Sequence, residues 1–496
     1  MSEMSTTFSA HTLIAAYSKG WLPEKDQNYK AAIMCLNKLH PALSNESINL
    51  EQNQKEKFKD TTYYLKKSGL TLEKLDELSV IHVTGTKGKG STCALTETIL
   101  RSHGVKTGFL SSPHLISVTE CIRINGVPVS ERLFSNYFWK VWNKLELDKE
   151  TGYDLRAYFR FLTILSFHIF LGEKVDAAIL EVGIGGEYDP TNIIRNTKTV
   201  GITTIGIDHT SILGTTLEDI AWQKSGIVKE RANVFTGVKQ ELCLKIIKQR
   251  CNEKKANLLE IPHVNLDNWT TKEVVKINTP LSVCLAYDWL TRTTKNKING
   301  IGINILSNQN NFHKFLSTVL KQLENFQFPG RCQNVKIRNL NFYLDGAHTI
   351  ESIILASRWF IESTKGSSNE KVLVFNLTGD RDPLKLMKVL YENCKLSLVC
   401  FTPNTPYIDD DLNSNFNNFS VISEVDKMKN VTKIAESCRN NFKLNSMVFT
   451  HILKVFEYIS KRFGNEEVDV LVTGSLYLIG ATLVALEKFS SNTRFE

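Results

Sequence analysis

What most constrains this chain is a recurring local grammar: a short β-rich apolar run, a Gly-rich or polar stop, then a helical pattern. "SVIHVTG" (79–85), "VDAAILEVG" (175–183) and "TVGITTIGIDH" (199–209) read as strands. "TCALTETILRSHG" (92–104) and "YFRFLTILSFHIFLGEK" (158–174) read as helices, the first closing near Gly104. Apolar runs without polar alternation need cover on both faces, and strand–loop–helix repetition supplies it around a parallel sheet. Ligands of such sheets bind beyond the strands' C-terminal ends, where this chain gathers its polar clusters. Residues 29–68 add two helices joined by a polar loop. The stretch from Asn257 to Gln327 reads as less ordered, and Pro329-Gly330 in "FPGRC" marks a turn or linker. Alternation then resumes in "LNFYLDGAH", "EKVLVFNLTGD", "LSLVCFTPN" and "VDVLVTGS". At 496 residues the chain has room for two or three domains. The division expected is a tail over 1–28, a central domain over 29–328, a linker over 329–332 and a smaller α/β domain over 333–490.

Composition removes several classes of function. Ten cysteines are scattered without a CxxC pair, which argues against a zinc ribbon or a disulfide framework and for a reducing compartment. A net charge of +8 over this length is a mild bias, and no Lys/Arg run is interleaved with aromatics, so no nucleic-acid partner is expected. The uncharged run Val470 to Leu486 breaks at Thr473-Gly474-Ser475. It reads as a buried strand, a tight turn and a helix, so no integral membrane association is expected. The first 28 residues are rich in Ser, Thr and Ala but lack Arg, which leaves a mitochondrial presequence or a short tail as the alternatives.

Chemistry concentrates where strands end. In "VIHVTGTKGKGSTCALTETIL" (80–100), Gly85, Gly88 and Gly90 allow backbone N–H groups to turn inward, and the next helix aims its positive end at the same point. Thr86 belongs to the same loop. Lys89 is suited to phosphate charge, and the hydroxyl of Ser91 or Thr92 to Mg²⁺. The spelling departs from the common phosphate loop, because Gly90 separates Lys89 from Ser91. Ser112 and His114 in "SSPHL" follow the next strand. Glu181 ends an apolar strand, where a divalent cation would offset the cost of an unpaired carboxylate; a solvated strand-end carboxylate is the alternative. Asp189, Thr191 and Asn192 offer further polar contacts. His209 closes a third strand, as a structural or a functional histidine, and Lys224 looks by spacing alone like an ordinary helix lysine.

Taken in order, "TGTKGKGST", "SSPHL", "YFRFLT", "EVGIGGEYDPTN", "GIDHTSILG", "AWQKSGI", "FPGRCQ", "LDGAH", "TGDRDP" and "LVTGSLYLIG" resemble the eukaryotic folylpolyglutamate synthases, relatives of the Mur ligases. The resemblance runs from about Tyr29 to the last helix. It implies a Mur ligase-like α/β fold, a P-loop-containing parallel-sheet ATPase domain followed by a smaller α/β C-terminal domain. It also implies an ATP-dependent ligase that adds L-glutamate to tetrahydrofolate and its polyglutamates through γ-carboxyl amide bonds, by way of an acyl phosphate. ATP would be held by Thr86, Gly88, Lys89, Gly90, Ser91, Thr92 and Asn278, with Arg331, Asp345 and His348 from the smaller domain. Mg²⁺ would sit at Ser112 and Glu181 with a second ion at His209, and a monovalent cation such as K⁺ has a place beside them. Lys89, Lys224 and His209 carry the catalytic expectation, Lys224 as a carbamylated lysine. A monomer in the cytoplasm and/or mitochondrion is expected.

Two departures stand out. The family's "ERI" is Glu120-Cys121-Ile122 here, and Val274 and Val275 replace a His-Gln pair ahead of Asn278. Three other activities compete. Dihydrofolate synthase differs in its acceptor, and a Mur peptide ligase needs more chain before the loop. A GTPase switch needs an Asn-Lys-x-Asp that the pairs at Asn37, Asn143 and Asn296 do not complete.

Overall fold

The computed structural model of the chain describes residues 27–39, 50–145, 158–264, 266, 269–270, 272–293, 309–324, 326–379, 381–408 and 424–491. The expectation of a tail or presequence therefore lies outside the described residues, apart from 27 and 28.

The first sheet has eight strands: β1 (Val80–Thr84), β2 (Thr107–Leu110), β3 (Ile122–Ile124), β4 (Val127–Pro128), β5 (Ala177–Glu181), β6 (Thr199–Ile202), β7 (Asn233–Thr236) and β8 (Asn257–Leu259). Their order is β4-β3-β2-β5-β1-β6-β7-β8, parallel except that β3 runs antiparallel to both β2 and β4. All five residues of β1 and of β5 are buried, because consecutive side chains enter two different cores. Ala178 and Leu180 face one core with helices α1 (Gln27–Asn37), α2 (Leu50–Lys67), α4 (Glu131–Leu145) and α5 (Tyr158–Gly172). Ala177, Ile179, Ile81 and Val83 face the other, with α3 (Lys89–Ser102), α6 (Glu273–Thr293) and α7 (Gln309–Gln322). This two-sided cover is why the strand sequences run apolar without alternation.

A second lobe is built on β9 (Gln333–Ile337), β10 (Leu340–Leu344), β11 (Glu370–Phe375), β12 (Leu398–Phe401), β13 (Ser446–Val448) and β14 (Val468–Thr473). The order is β13-β12-β11-β14-β10-β9, with only β9 antiparallel. The run from Val470 is the end of β14, a turn and helix α8 (Leu476–Ser491), and among the described residues no helix is long and apolar enough to cross a membrane.

The expectation of a less ordered stretch over 257–327 is corrected: it contains β8, the 21-residue α6 and α7. Pro280 lies inside α6 and weakens its local signal, but Leu281, Val283, Leu285 and Leu290 bury against the first sheet. Tertiary burial outweighs the propensity penalty there.

Both sheets send their strand ends to one place. In the first, β1 lies between β5 and β6, so the chain switches sides around it, and the loops after β1, β5 and β6 converge beyond their C-terminal edge.

Candidate active site

The phosphate loop is built by close packing around glycines. Gly85 has φ 147°, and a Cβ there would meet Thr203 Oγ1 at 1.8 Å. Gly88 has φ 85° and caps α3, and a Cβ on it would meet Asn278 Oδ1 at 2.2 Å. Thr203 Oγ1 donates to the Lys87 carbonyl at 2.6 Å, and Thr86 N donates to Thr204 O at 2.7 Å, so the end of β6 holds the loop from behind. Thr86 Oγ1 bonds Gly206. The N-terminus of α3, a natural seat for an anion, then opens into a cavity of about 1280 Å³.

That cavity is lined by Thr86, Gly88, Lys89, Gly90, Ser91, Ser112, Glu181, His209 and Asn278 from the first lobe and by Arg331, Asp345 and His348 from the second. Two expected residues lie elsewhere. Thr92 is fully buried and donates to Asn278 Oδ1 at 3.2 Å, so of the two hydroxyls only that of Ser91 faces the cavity. The helix turn decides this, since consecutive residues point about 100° apart. Lys224 lies beneath the floor: its Nζ donates to Gly85 O at 2.9 Å, the same carbonyl that Lys89 Nζ contacts at 2.9 Å. Burial, and then the nearby Lys89 charge, lower Lys224 well below the ordinary lysine range.

Glu181 is one of the buried carboxylates of the group. Ser112 N donates to its Oε2 at 3.4 Å, and a Cβ on residue 90 would stand 3.1 Å from the same oxygen. Burial raises its carboxyl to about 7, against the pull of Lys89. Among the described residues no three His, Cys, Asp or Glu side chains gather as a metal cluster. One carboxylate with the Ser91 and Ser112 hydroxyls beside an anion seat instead suits a hard cation shared with phosphates, so the donor set fits Mg²⁺. His209 holds a left-handed conformation at φ 52° at the start of the short helix Thr210–Leu213 and reaches the same cavity.

Other residues turn inward to hold the loop after β5. Asp189 accepts from Gly183 N, Ile184 N, Thr191 N and Thr191 Oγ1, and Asn192 Nδ2 donates to the carbonyls of Glu187 and Gly226. Thr191 and Asn192 thus shape the backbone, and only Asp189 of the three reaches the cavity. In the second lobe Asp345 accepts from Cys332 N and Ala347 N, each at 2.9 Å, and burial raises its carboxyl. The sequence reading passed over Lys87, which sits in the loop with its Nζ 3.0 Å from Asp208 Oδ2 and 3.3 Å from His348 Nε2. Three glycines and Lys89 drew attention to the loop, and nothing in one-dimensional spacing distinguishes its first lysine.

With this geometry in view, similarity to known proteins is informative. Residues 326–485 match the family described as "Dihydrofolate synthetase, C-terminal domain". The chain is 41% identical over 427 residues to the mitochondrial folylpolyglutamate synthase of Homo sapiens, covering 80% of this chain and 71% of that one. It is 36% identical over 446 residues to the folylpolyglutamate synthase of Saccharomyces cerevisiae (strain FostersO), covering 85% and 79%. This chain belongs to the folylpolyglutamate synthase family. The solved structure of E. coli FolC in complex with DHPP and ADP shares its fold, with a TM-score of 0.69 at 20% identity over 94% of this chain and all of that one. So does the apo form of L. casei FPGS, at 0.67 and 19% identity over 93% of this chain and all of that one.

Where the sequence departs from other folylpolyglutamate synthases, the structure gives local detail. Cys121 is buried at the cavity wall, 3.6 Å from His114 Nδ1, and Arg123 beyond it lies between the rings of Phe109 and Phe328. Val274 lines the cavity with Ile277 and packs against second-lobe apolar residues, so this wall is apolar where a polar pair was expected.

Proposed function

We infer that this chain is an ATP-dependent ligase that joins L-glutamate to tetrahydrofolate and its polyglutamates through γ-carboxyl amide bonds, releasing ADP and phosphate. The reading is carried by one observation: in a member of this family, a phosphate loop, a buried carboxylate and basic groups of a second lobe line a single cavity. The substrates fit it chemically, since a carboxylate must be activated before an amine attacks it.

Activation passes the γ-phosphoryl group of ATP to a folate carboxylate oxygen, giving an acyl phosphate and ADP. The glutamate amine then attacks the acyl carbon, the carbon–oxygen bond to phosphate breaks, and the amine gives up its proton. We propose that the backbone N–H groups of Gly88 to Ser91 and the Lys89 ammonium hold the phosphates and stabilise the charge that develops on transfer. Glu181, Ser112 and His209 would hold Mg²⁺, whose chemistry is to neutralise phosphate charge. Arg331, Asp345 and His348 would join the nucleotide when the lobes approach, shielding the acyl phosphate from water, and Asn278 would fix the loop beside them. Lys224, lowered by burial on its seat beneath the loop, is read as the lysine that takes up CO₂. The protein is read as a monomer, with the division at 328 and 333 as its domain boundary. Native mass spectrometry in bicarbonate tests the CO₂ and monomer readings; it should give a one-chain mass with a CO₂ adduct that Lys224→Ala lacks. Its compartments are read as cytoplasm and mitochondrion, in line with the mitochondrial name of the Homo sapiens relative.

Acceptor choice separates this function from dihydrofolate synthesis. With ATP, Mg²⁺ and glutamate, tetrahydrofolate should gain glutamyl units and dihydropteroate should not. Glutamylation of dihydropteroate alone would overturn the reading.

A further inference from the structure

Among the described residues, Lys87 is the one phosphate-loop side chain hydrogen-bonded to both lobes. Its backbone is fixed on both sides: its N–H donates to Thr204 Oγ1 at 3.1 Å, and its carbonyl accepts from Thr203 Oγ1 at 2.6 Å. The side chain therefore leaves a rigid base, and its three ammonium hydrogens have few places to go. One reaches Asp208 Oδ2 at 3.0 Å, on the loop after β6. Another reaches His348 Nε2 at 3.3 Å, in the second lobe, 261 positions along the chain. The histidine is set to receive it. His348 Nδ1 lies 2.8 Å from the Gly346 carbonyl, which can only accept, so Nδ1 carries the proton and Nε2 presents a lone pair. Burial, and then Lys87 itself, hold His348 at about 3, so the ring is neutral at physiological pH. An imidazole nitrogen of one lobe and a carboxylate of the other thus grip one side chain at the seam between the lobes.

We propose that Lys87 is a positioning residue that ties the phosphate loop to the second lobe, keeping the lobes together while the acyl phosphate awaits the amine. The idea rests on the ligase reading above. Its consequence is specific. If the seam loosens, water competes with glutamate for the acyl carbon, returning the free carboxylate and phosphate while ATP has already become ADP. A pure phosphate ligand at this position would act on ATP affinity and leave that partition unchanged.

The experiment measures ADP released per glutamyl unit added, with tetrahydrofolate, saturating ATP and limiting glutamate, in wild type, Lys87→Met, Lys87→Arg and His348→Leu. Wild type and Lys87→Arg should stay near one ADP per addition. Lys87→Met and His348→Leu should each rise about threefold, and the double variant should rise no further, because both remove one shared contact. Should Lys87→Met fail to fold, His348→Leu and its pairing with Lys87→Arg read the same contact from the other side. A ratio that stays at one while only the KM for ATP rises would overturn the inference and leave the ligase reading standing. A wild-type protein that adds no glutamate would overturn both.

Discussion

Glu181 carries the site's clearest electrostatic consequence. Its carboxyl stands at about 7 in the folded protein, against 4.5 ordinarily, because burial outweighs the attraction of Lys89. The unfolded chain therefore releases this proton first as pH rises. Stability from the protonated form is full below about 4.5 and is lost between there and about 7. A shift of this size corresponds to about 3 kcal/mol. In chelator and without nucleotide, wild-type unfolding free energy should fall by about that much, relative to Glu181→Gln, between pH 5 and pH 8. Urea titrations at both pH values check this, and parallel curves for the two proteins would contradict it. On the proposed reading the same carboxylate would serve the reaction once ionised by a bound cation, so Glu181→Ala and Lys89→Ala should each lower turnover by about 10²-fold or more with the fold retained. Residue identity was legible here because Gly, Lys and Glu have narrow chemical uses at strand ends. Side-chain direction was not, which is why Thr92 turned out to face Asn278 and why Lys87 escaped notice.

Among the elements, the loop from Gly85 to Gly90 and helix α3 form the working unit, and glycine does different work at different positions in and around it. Gly88 and Gly104 both have positive φ, 85° and 79°, yet a Cβ on Gly88 would strike Asn278 while one on Gly104 would meet nothing within 4 Å. Gly104→Ala should therefore cost about 1 kcal/mol, the backbone penalty alone, and leave nucleotide affinity intact. Gly88→Ala should cost more stability and also weaken nucleotide binding, as thermal unfolding and calorimetric titration would register. Equal effects of the two substitutions would contradict the packing argument. The long strands were readable because two-sided burial writes itself as an unbroken apolar run, as in β5 and β14. The pieces β3, β4 and β9 were not: β3 and β4 are short, and all three are partly exposed and set by antiparallel pairing with neighbours. Helix α6 was missed because Pro280 and its polar neighbours weaken a pattern that packing against α3 restores, through bonds such as Ser282 Oγ to Thr92 O at 3.1 Å.

At the scale of the molecule, the two sheets matter for where they end. Both lobes contribute lining to one cavity, with Lys89 and Glu181 on one side and Arg331 and His348 on the other. On the proposed reading, ATP and carboxylate would come together only when both lobes engage, which would protect a water-sensitive intermediate. The order of motifs along the chain announced two lobes. The seam between them needed three dimensions, since Lys87 and His348 are distant in sequence and share no pattern. The central claim is that this cavity turns a folate carboxylate into an acyl phosphate. Tetrahydrofolate carrying oxygen-18 in its γ-carboxylate, incubated with ATP, Mg²⁺ and glutamate, tests that claim most directly. One labelled oxygen should appear in the released phosphate for each glutamyl unit added; phosphate free of label, formed while glutamate is being added, would contradict it.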